Sequence, residues 1–272
     1  MNRKLKLGLC LGSFIFSAGF IFPMILDLNP EKLSLEKEFL SPSWQNPFGF
    51  GENGVDLFSA TVIGLRNSLS VSLLGALVSA ILGTFLGLVA GTTGTRIDQV
   101  LVKIAEIFDA FPGIILVVGL AAFLGPSQSN VVLIMGITGW VVFFRLSRAN
   151  ILSLSNREFI LASRALGQKT VKIWTKHLLP HVAEFLFVQL SLTAGSILII
   201  ESSLGFLGLG SPPGTPSLGG LIHQGRDVMT LAPHALVLPG LVLVLCIVTF
   251  NFLSLGLGEK FDSRRNIYTP KA

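Results

Sequence analysis

Long uncharged stretches alternate with short charged ones along the 272-residue chain. The first stretch, residues 7–26, would form about 30 Å of helix at about 1.5 Å per residue, which is enough to cross a bilayer. Comparable apolar stretches follow at residues 69–91, 104–124, 131–147, 182–201 and 235–258. The pattern therefore predicts an all-α polytopic membrane protein with six transmembrane helices.

The stretches between these runs would lie on the two sides of the membrane. They are an N-terminus (1–6), a segment after the first span (27–67), a basic loop (148–181), a Gly- and Pro-rich loop (202–234) and a tail (259–272). Residues 68–272 would form the core domain. With both termini inside, 16 of the 20 Lys and Arg residues face the cytoplasm, as the positive-inside rule requires. The expected location is a bacterial inner membrane.

A secretory signal peptide is the alternative interpretation of the N-terminus, because Arg3, Lys4 and Lys6 precede the first apolar run. The hydrophobic region of a signal peptide is shorter, however, and no small-x-small cleavage site closes this run. We therefore expect an uncleaved first span.

Composition agrees with a membrane protein and argues against nucleic-acid binding. Hydrophobic residues make up 51% of the chain and charged residues 13%, and the mean hydropathy is +0.72. The net charge of +5 comes from basic residues at the ends of apolar runs, with no zinc-finger or helix-turn-helix pattern. Cys10 and Cys246 both lie inside apolar runs, where packing is their expected role.

Residues 155–181, here called the elbow segment, form a basic amphipathic island between apolar runs. Ser155 and Glu158 have the spacing of a capping box, which predicts a helix from near Asn156. Gly167 then interrupts the helical pattern, and Pro180 removes a backbone donor where the next span begins. We expect two short helices joined at a glycine. An amphipathic loop resting on anionic lipid is the alternative.

The elbow segment also resembles a known motif. Ala162, Ser163, Gly167 and the run 178–180 are similar to the EAA loop in inner-membrane permease subunits of binding-protein-dependent ABC importers. The resemblance implies a type I importer fold, with a coupling helix that sits in a groove of a separate ATPase subunit. Leu161 replaces the usual glutamate, for which Glu158 could substitute. The expected ATPase-coupling residues are Leu161, Ala162, Ser163, Ala165, Leu166, Gly167, Lys169, Lys172 and Pro180.

A second resemblance covers residues 201–227, which are similar to a segment of the dipeptide, oligopeptide and nickel permease subgroup. Leu218 replaces the tryptophan of that segment. Such Gly- and Pro-rich backbone cannot face lipid, because its polar groups would be unpaired. A carboxylate at the edge of a span is costly, so Glu201 is a pathway candidate, together with Ser203 and Gly205. Glu201 could instead mark the outer interface.

Residues 46–68 match the same subgroup only in part. The matching positions are Pro47, Gly49, Gly54, Asp56 and Ser59, whereas the histidine and the arginines of the subgroup segment are absent. The resemblance implies short peptides as substrates, with nickel chelates as the alternative. It also implies a second homologous permease, two cytoplasmic ATP-binding subunits and an external solute-binding protein as partners, besides membrane lipid.

Motifs for catalysis are missing from the chain. The sequence has no GxxxxGK[ST] loop, HExxH motif, GxSxG motif or metal-spaced Cys/His cluster. Glu106 and Asp109, and likewise His177 and His181, share a helical face but have no third group beside them. We therefore expect no catalytic residue, metal or cofactor. An ion-coupled secondary transporter, the alternative class, would carry charge within its spans and an inverted repeat. Neither is visible.

Overall fold

The computed structural model describes residues 2–26, 28–30, 32–212 and 214–268, which fold mainly into helices joined by turns and loops. The predicted all-α class is confirmed, since an isolated bridge between Phe50 and Asp56 is the nearest feature to a strand in this described part. The helices are α1 (Arg3–Ile25), α2 (Leu57–Thr93), α3 (Thr95–Ala110), α4 (Gly113–Leu124), α5 (Gln128–Ser155), α6 (Glu158–Ala165), α7 (Thr170–Phe206), α8 (Leu218–Asp227) and α9 (Pro233–Tyr268).

Five helices, α1, α2, α5, α7 and α9, are long and apolar enough to cross a membrane. A sixth span is present if α3 and α4 count together, but these two helices are bent by 85°. We expected one continuous span over residues 104–124, and the structure breaks it at Phe111 and Pro112. Proline disfavours the helical region for the residue before it, and Phe111 is accordingly extended, with φ −89° and ψ 135°.

Glycines allow α2 and α5 to pack closely side by side. A Cβ on Gly83 would lie 2.7 Å from the Cβ of Phe143, and one on Gly91 would lie 2.6 Å from a methyl group of Ile151. Gly87 similarly faces Ser147 and the backbone of Arg148. The glycines spaced by four along α2 thus form the helix-packing stripe that their spacing suggests.

The surface of the bundle carries large apolar side chains, and its interior includes several hydroxyl groups. Ser72 and Ser79 are buried in α2 and donate hydrogen bonds to the carbonyls of Ala194 (2.5 Å) and Met135 (2.9 Å). In the same helix Ile81 and Phe85 are 62% and 53% exposed. Large apolar side chains outside and hydrogen-bonded hydroxyls inside are the distribution that a lipid environment favours.

The two ends of the described chain meet at one end of the bundle. A Cβ on Gly8 of α1 would lie 2.8 Å from the backbone nitrogen of Leu253 in α9. Lys4 donates to the Glu259 carboxylate at 2.5 Å, and the Asn2 amide does so at 3.0 Å. The first and last spans are therefore joined both by backbone contact and by charge.

The residues that match the peptide-permease subgroup before α2 have local structural roles. Gly49 and Gly54 have φ values of +70° and +67° and lie against the backbones of Leu40 and Ser34, where a side chain would collide. Asp56 caps α2, accepting hydrogen bonds from the amides of Phe58 (3.3 Å) and Ser59 (3.2 Å) and from the Ser59 hydroxyl. The matching pattern thus maintains a turn and a helix start.

Candidate functional site

The elbow is a helix end closed by glycine. Gly167 has a φ of +74°, its amide donates to the Arg164 carbonyl at 2.9 Å, and the Gln168 amide donates to the Ser163 carbonyl at 3.1 Å. This pair of bonds is the Schellman arrangement, in which glycine takes the left-handed residue. The predicted glycine junction therefore ends α6, and α7 begins three residues later at Thr170.

The predicted capping box is wrong. Ser155 is the last residue of α5, its hydroxyl lies 3.5 Å from the Gly91 carbonyl, and α6 begins at Glu158 without a side-chain cap. The apolar run of the fourth span stops near Arg145, but the helix continues for two further turns because Ile151 is packed in the interior. Residues 148–155 of the predicted loop are therefore helical continuations of α5.

Buried side chains fix the elbow segment to the bundle. Ile160 of α6 and Ile173 of α7 are 0% and 3% exposed and pack in one cluster with Leu88 and Ile151. The Trp174 indole nitrogen donates to the Thr92 hydroxyl at 3.1 Å. The short helix α6 is therefore packed against α2 and α5.

The predicted coupling residues lie mostly on the open side of this anchor. Leu161 and Leu166 are 49% and 80% exposed, and the neighbouring Val171 is 64% exposed. Also exposed are Ala162, Ala165, Gly167, Lys169, Lys172 and Pro180. Ser163 differs from them, because it is buried and donates to the Phe159 carbonyl at 2.8 Å. Eight of the nine residues are thus accessible, and these eight are here called the elbow face.

We expected the second helix of the elbow segment to be short, but it is long. The helix that begins at Thr170 runs without a break to Phe206, through a π turn at Trp174–Leu178. Pro180 follows this turn within the same continuous helix and has no amide to donate to the turn before it. The ring of His181 stacks on Phe159 and its Nδ1 contacts the His177 carbonyl at 2.7 Å, so this pair serves local packing.

Glu201 lies at the opposite end of the bundle, here called the loop end, which carries residues 202–234. Its side chain is only 2% exposed and accepts a hydrogen bond from the Ser202 hydroxyl at 3.3 Å. The Ser68 hydroxyl bonds the same carboxyl group and accepts from the Leu218 amide at 3.1 Å. A network of hydrogen bonds therefore connects α7, α2 and the start of α8.

Glycines bring α8 against α7 beside this network. A Cβ on Gly219 would lie 2.6 Å from the Cα of Ser202, and one on Gly205 would lie 3.0 Å from the Gly220 nitrogen. Gly205 lines a cavity of about 570 Å³ between α8, the loop before it and the segment that precedes α2. Ser203 faces a different, apolar pocket of about 340 Å³. The three pathway candidates, Glu201, Ser203 and Gly205, therefore have different surroundings and do not form one site.

Several polar contacts between distant residues were not predicted from the sequence. Arg148 pairs with Asp98, and Arg145 pairs with Asp109, so that α3 is held against α5. From the sequence, Asp109 is grouped only with Glu106 on its own helix, and no partner on another helix is predicted for Asp98 or Asp109. Within the described residues no group of three or more His, Cys, Asp or Glu could hold a metal ion.

Comparison with known proteins agrees with this architecture. The dipeptide transport system permease protein DppC of Lactococcus lactis subsp. cremoris (strain MG1363) is 37% identical over 217 residues, covering 80% of this chain and 63% of that protein. The chain thus spans less than two thirds of that relative. The protein of the same name from Alkalihalophilus pseudofirmus is 34% identical over 252 residues, which cover 93% and 83% of the two chains.

The fold has a counterpart among solved structures. An inward-facing structure of the MetNI methionine ABC transporter has a TM-score of 0.56 at 19% identity, covering 71% of this chain and 94% of that one. The predicted importer permease fold is confirmed by this likeness. Residues 83–267 match the family described as the inner membrane component of binding-protein-dependent transport systems. On this match and the 34% identity to the Alkalihalophilus protein, the chain belongs to that family.

Proposed function

We propose that this chain is the permease subunit of an ATP-driven importer for short peptides and that it forms half of the translocation pathway. The observation that carries the proposal is the elbow face, whose exposed apolar residues stand on a helix fixed to α2 and α5. Peptides are the substrate class because the relatives described above are named as dipeptide permeases. Membership of the family makes the chain a multi-pass membrane subunit that works with an ATPase and a solute-binding protein.

The elbow face and both termini lie in the cytoplasm in this proposal. The positive-inside rule supports it, since 16 of the 20 Lys and Arg residues then face inward. The Lys4 to Glu259 ion pair supports it as well, because it joins the N-terminal residues to the final helix at one end of the bundle. Residues 202–234 then lie outside, where a solute-binding protein would deliver the substrate.

ATP hydrolysis takes place in partner subunits in this proposal, since the sequence has no phosphate-binding loop. The assembly contains a second homologous permease, two ATP-binding subunits and an external binding protein. Contact with the ATPase is mainly apolar, through Leu161 and Leu166, with Lys169 and Lys172 beside them. Apolar area of this kind, in a small patch rimmed by charge, is typical of docking surfaces.

The proposal is tested with the tagged chain co-expressed with its native neighbours and purified in mild detergent. We expect ATP-hydrolysing subunits to co-purify, and reconstituted vesicles to take up a labelled dipeptide only when ATP is supplied. Leu166→Asp should remove the ATPase subunits. Leu231→Asp is the matched control, because Leu231 is 69% exposed near the loop end and should retain them. A chain that is recovered alone and transports under an ion gradient without ATP would overturn the proposal.

A further inference from the structure

Three contacts align α3 against α5. Asp98 pairs with Arg148, Asp109 pairs with Arg145, and the rings of Phe108 and Trp140 meet edge-on at 5.6 Å. The contacts join residues 98–109 of α3 to residues 140–148 of α5. The face of α3 between the charges is apolar and packs in the same cluster as Trp140.

The two ion pairs differ in geometry and exposure. Arg148 forms a two-pronged contact with Asp98, in which Nη2 donates to Oδ2 at 2.6 Å and Nε donates to Oδ1. Their side chains are 29% and 17% exposed, whereas those of Arg145 and Asp109 are 56% and 49% exposed. A two-pronged pair fixes orientation as well as distance, and its weaker contact with water reduces screening. The Asp98–Arg148 pair is therefore the more firmly defined of the two.

Arg148 is connected closely to the elbow. It lies one helical turn before Ile151, which is 0% exposed and packs in one cluster with Ile160 of α6. Only two residues separate the end of α5 from the start of α6. A movement of the elbow therefore shifts the end of α5 that carries Arg148, because packed interiors transmit displacement with little compression.

Asp98 is connected by α3 to the bend in the chain. Residues 95–110 form an unbroken helix, which ends at the extended residue Phe111 and at Pro112. The 85° bend lies there, and α4 continues beyond it toward the loop end. A helix is stiff along its axis, so a displacement imposed at Asp98 is carried to Phe111.

We propose that the Asp98–Arg148 ion pair is the joint through which movement of the elbow reaches the bend at Phe111 and Pro112. Both are positioning residues, since they act on the pathway through helices. The inference rests on the proposed function, because an ATPase that moves the elbow supplies the displacement. Breaking the joint would leave the ATPase attached and active while the bend no longer responds to nucleotide.

The test measures the bend directly in the complete complex. A Phe111→Cys variant is made in a background with Cys10→Ser and Cys246→Ala, and its rate of maleimide labelling is compared without nucleotide and with ATP plus vanadate. Phe111 is 55% exposed, so the thiol is accessible for labelling. We expect nucleotide to change the rate at least about threefold, the size that a change of about 0.7 kcal/mol in accessibility produces.

Asp98→Asn and Asp98→Arg should each bring the two labelling rates together and uncouple ATP hydrolysis from peptide uptake. The double exchange Asp98→Arg with Arg148→Asp should restore both responses, which a merely structural loss would not allow. Lys4→Glu is the matched control, because it breaks an ion pair that joins α1 and α9, and it should retain the nucleotide response.

Different results would contradict the proposed joint and the proposed function. If ATPase subunits co-purify with Asp98→Asn and labelling still responds to nucleotide, the joint is overturned while the proposed function stands. The same holds if the double exchange assembles but restores neither response. If no ATPase co-purifies with the unsubstituted chain, the proposed function itself fails.

Discussion

The two ends of this molecule use glycine in opposite ways. At the elbow, a Cβ on Gly167 would meet nothing within 4 Å, and the glycine serves only to allow a φ of +74°. At the loop end, Gly205 and Gly219 sit in regular helix, and each would collide with the backbone of the neighbouring helix if it carried a side chain. The elbow is therefore open and defined by its own chain, whereas the loop end is closed and defined by contact between helices.

This difference separates the surface proposed to bind the ATPase from the contacts that stabilise the helix bundle. The elbow face exposes Leu161 and Leu166, so substitutions there change what a partner meets and leave the bundle intact. Glu201 and its serine partners are buried between three helices, so substitutions there change the bundle itself. Variants at the two ends should therefore fail in different assays.

The largest effect is expected for Gly167→Pro. Proline requires a φ near −65° and has no amide to donate to the Arg164 carbonyl, so the closed helix end cannot form, at a cost of about 3 kcal/mol or more. This cost lowers the equilibrium population of the native elbow conformation by more than about 100-fold. ATP-driven peptide uptake in vesicles should be abolished, while membrane insertion remains near that of the parent.

Gly167→Ala is the graded control for this prediction. Nothing surrounds the added methyl group, and a left-handed alanine costs about 1–2 kcal/mol, so uptake should fall less than with proline. Normal uptake with Gly167→Pro would show that the elbow does not transmit force.

The next largest effect is expected for Gly219→Ala, through stability. The added Cβ would lie 2.6 Å from the Cα of Ser202, and α8 must move away from α7. Overpacking of this kind costs about 1–3 kcal/mol and should lower the thermal unfolding temperature in detergent. Gly240→Ala is the control in α9, where a Cβ meets nothing within 4 Å. An unfolding temperature equal in both variants would contradict the close approach of α7 and α8.

A comparable or smaller loss of folding stability is expected for Glu201→Leu. The substitution removes the acceptor of the Ser68 and Ser202 hydroxyls, and leaving buried polar groups unpaired costs about 1–3 kcal/mol. Glu201→Gln keeps an acceptor oxygen and should cost less than about 1 kcal/mol. Thermal unfolding of the two variants in detergent decides this. Equal stability of the leucine variant and the parent would show that the network does not fix α8.

The glycine junction of the elbow could be predicted from the sequence and the network at the loop end could not, because their interactions differ in range. The amides of Gly167 and Gln168 end α6 by donating to carbonyls three and five positions earlier, which a local pattern reveals. We predicted too short a fourth span because Arg145 and Arg148 end its apolar run. The helix itself continues, and the two arginines pair with carboxylates of α3. Ion pairing between Asp98 and Arg148, fifty residues apart, and burial of Glu201 beneath α8 depend on packing that one sequence does not encode locally.

The smallest effect is expected for Leu161→Glu, which introduces the glutamate of the usual motif. The side chain is 49% exposed, so stability should change by less than about 0.5 kcal/mol. If docking on the elbow face is apolar, a carboxylate at this position must lose water on binding, and affinity for the ATPase should fall about threefold, or roughly 0.7 kcal/mol. Leu161→Met preserves the apolar contact and should bind as the parent does. Titration of the purified ATPase against the three proteins in nanodiscs measures this, and tighter binding of the glutamate variant would show that the partner keeps a basic site that Glu158 does not fill in the parent.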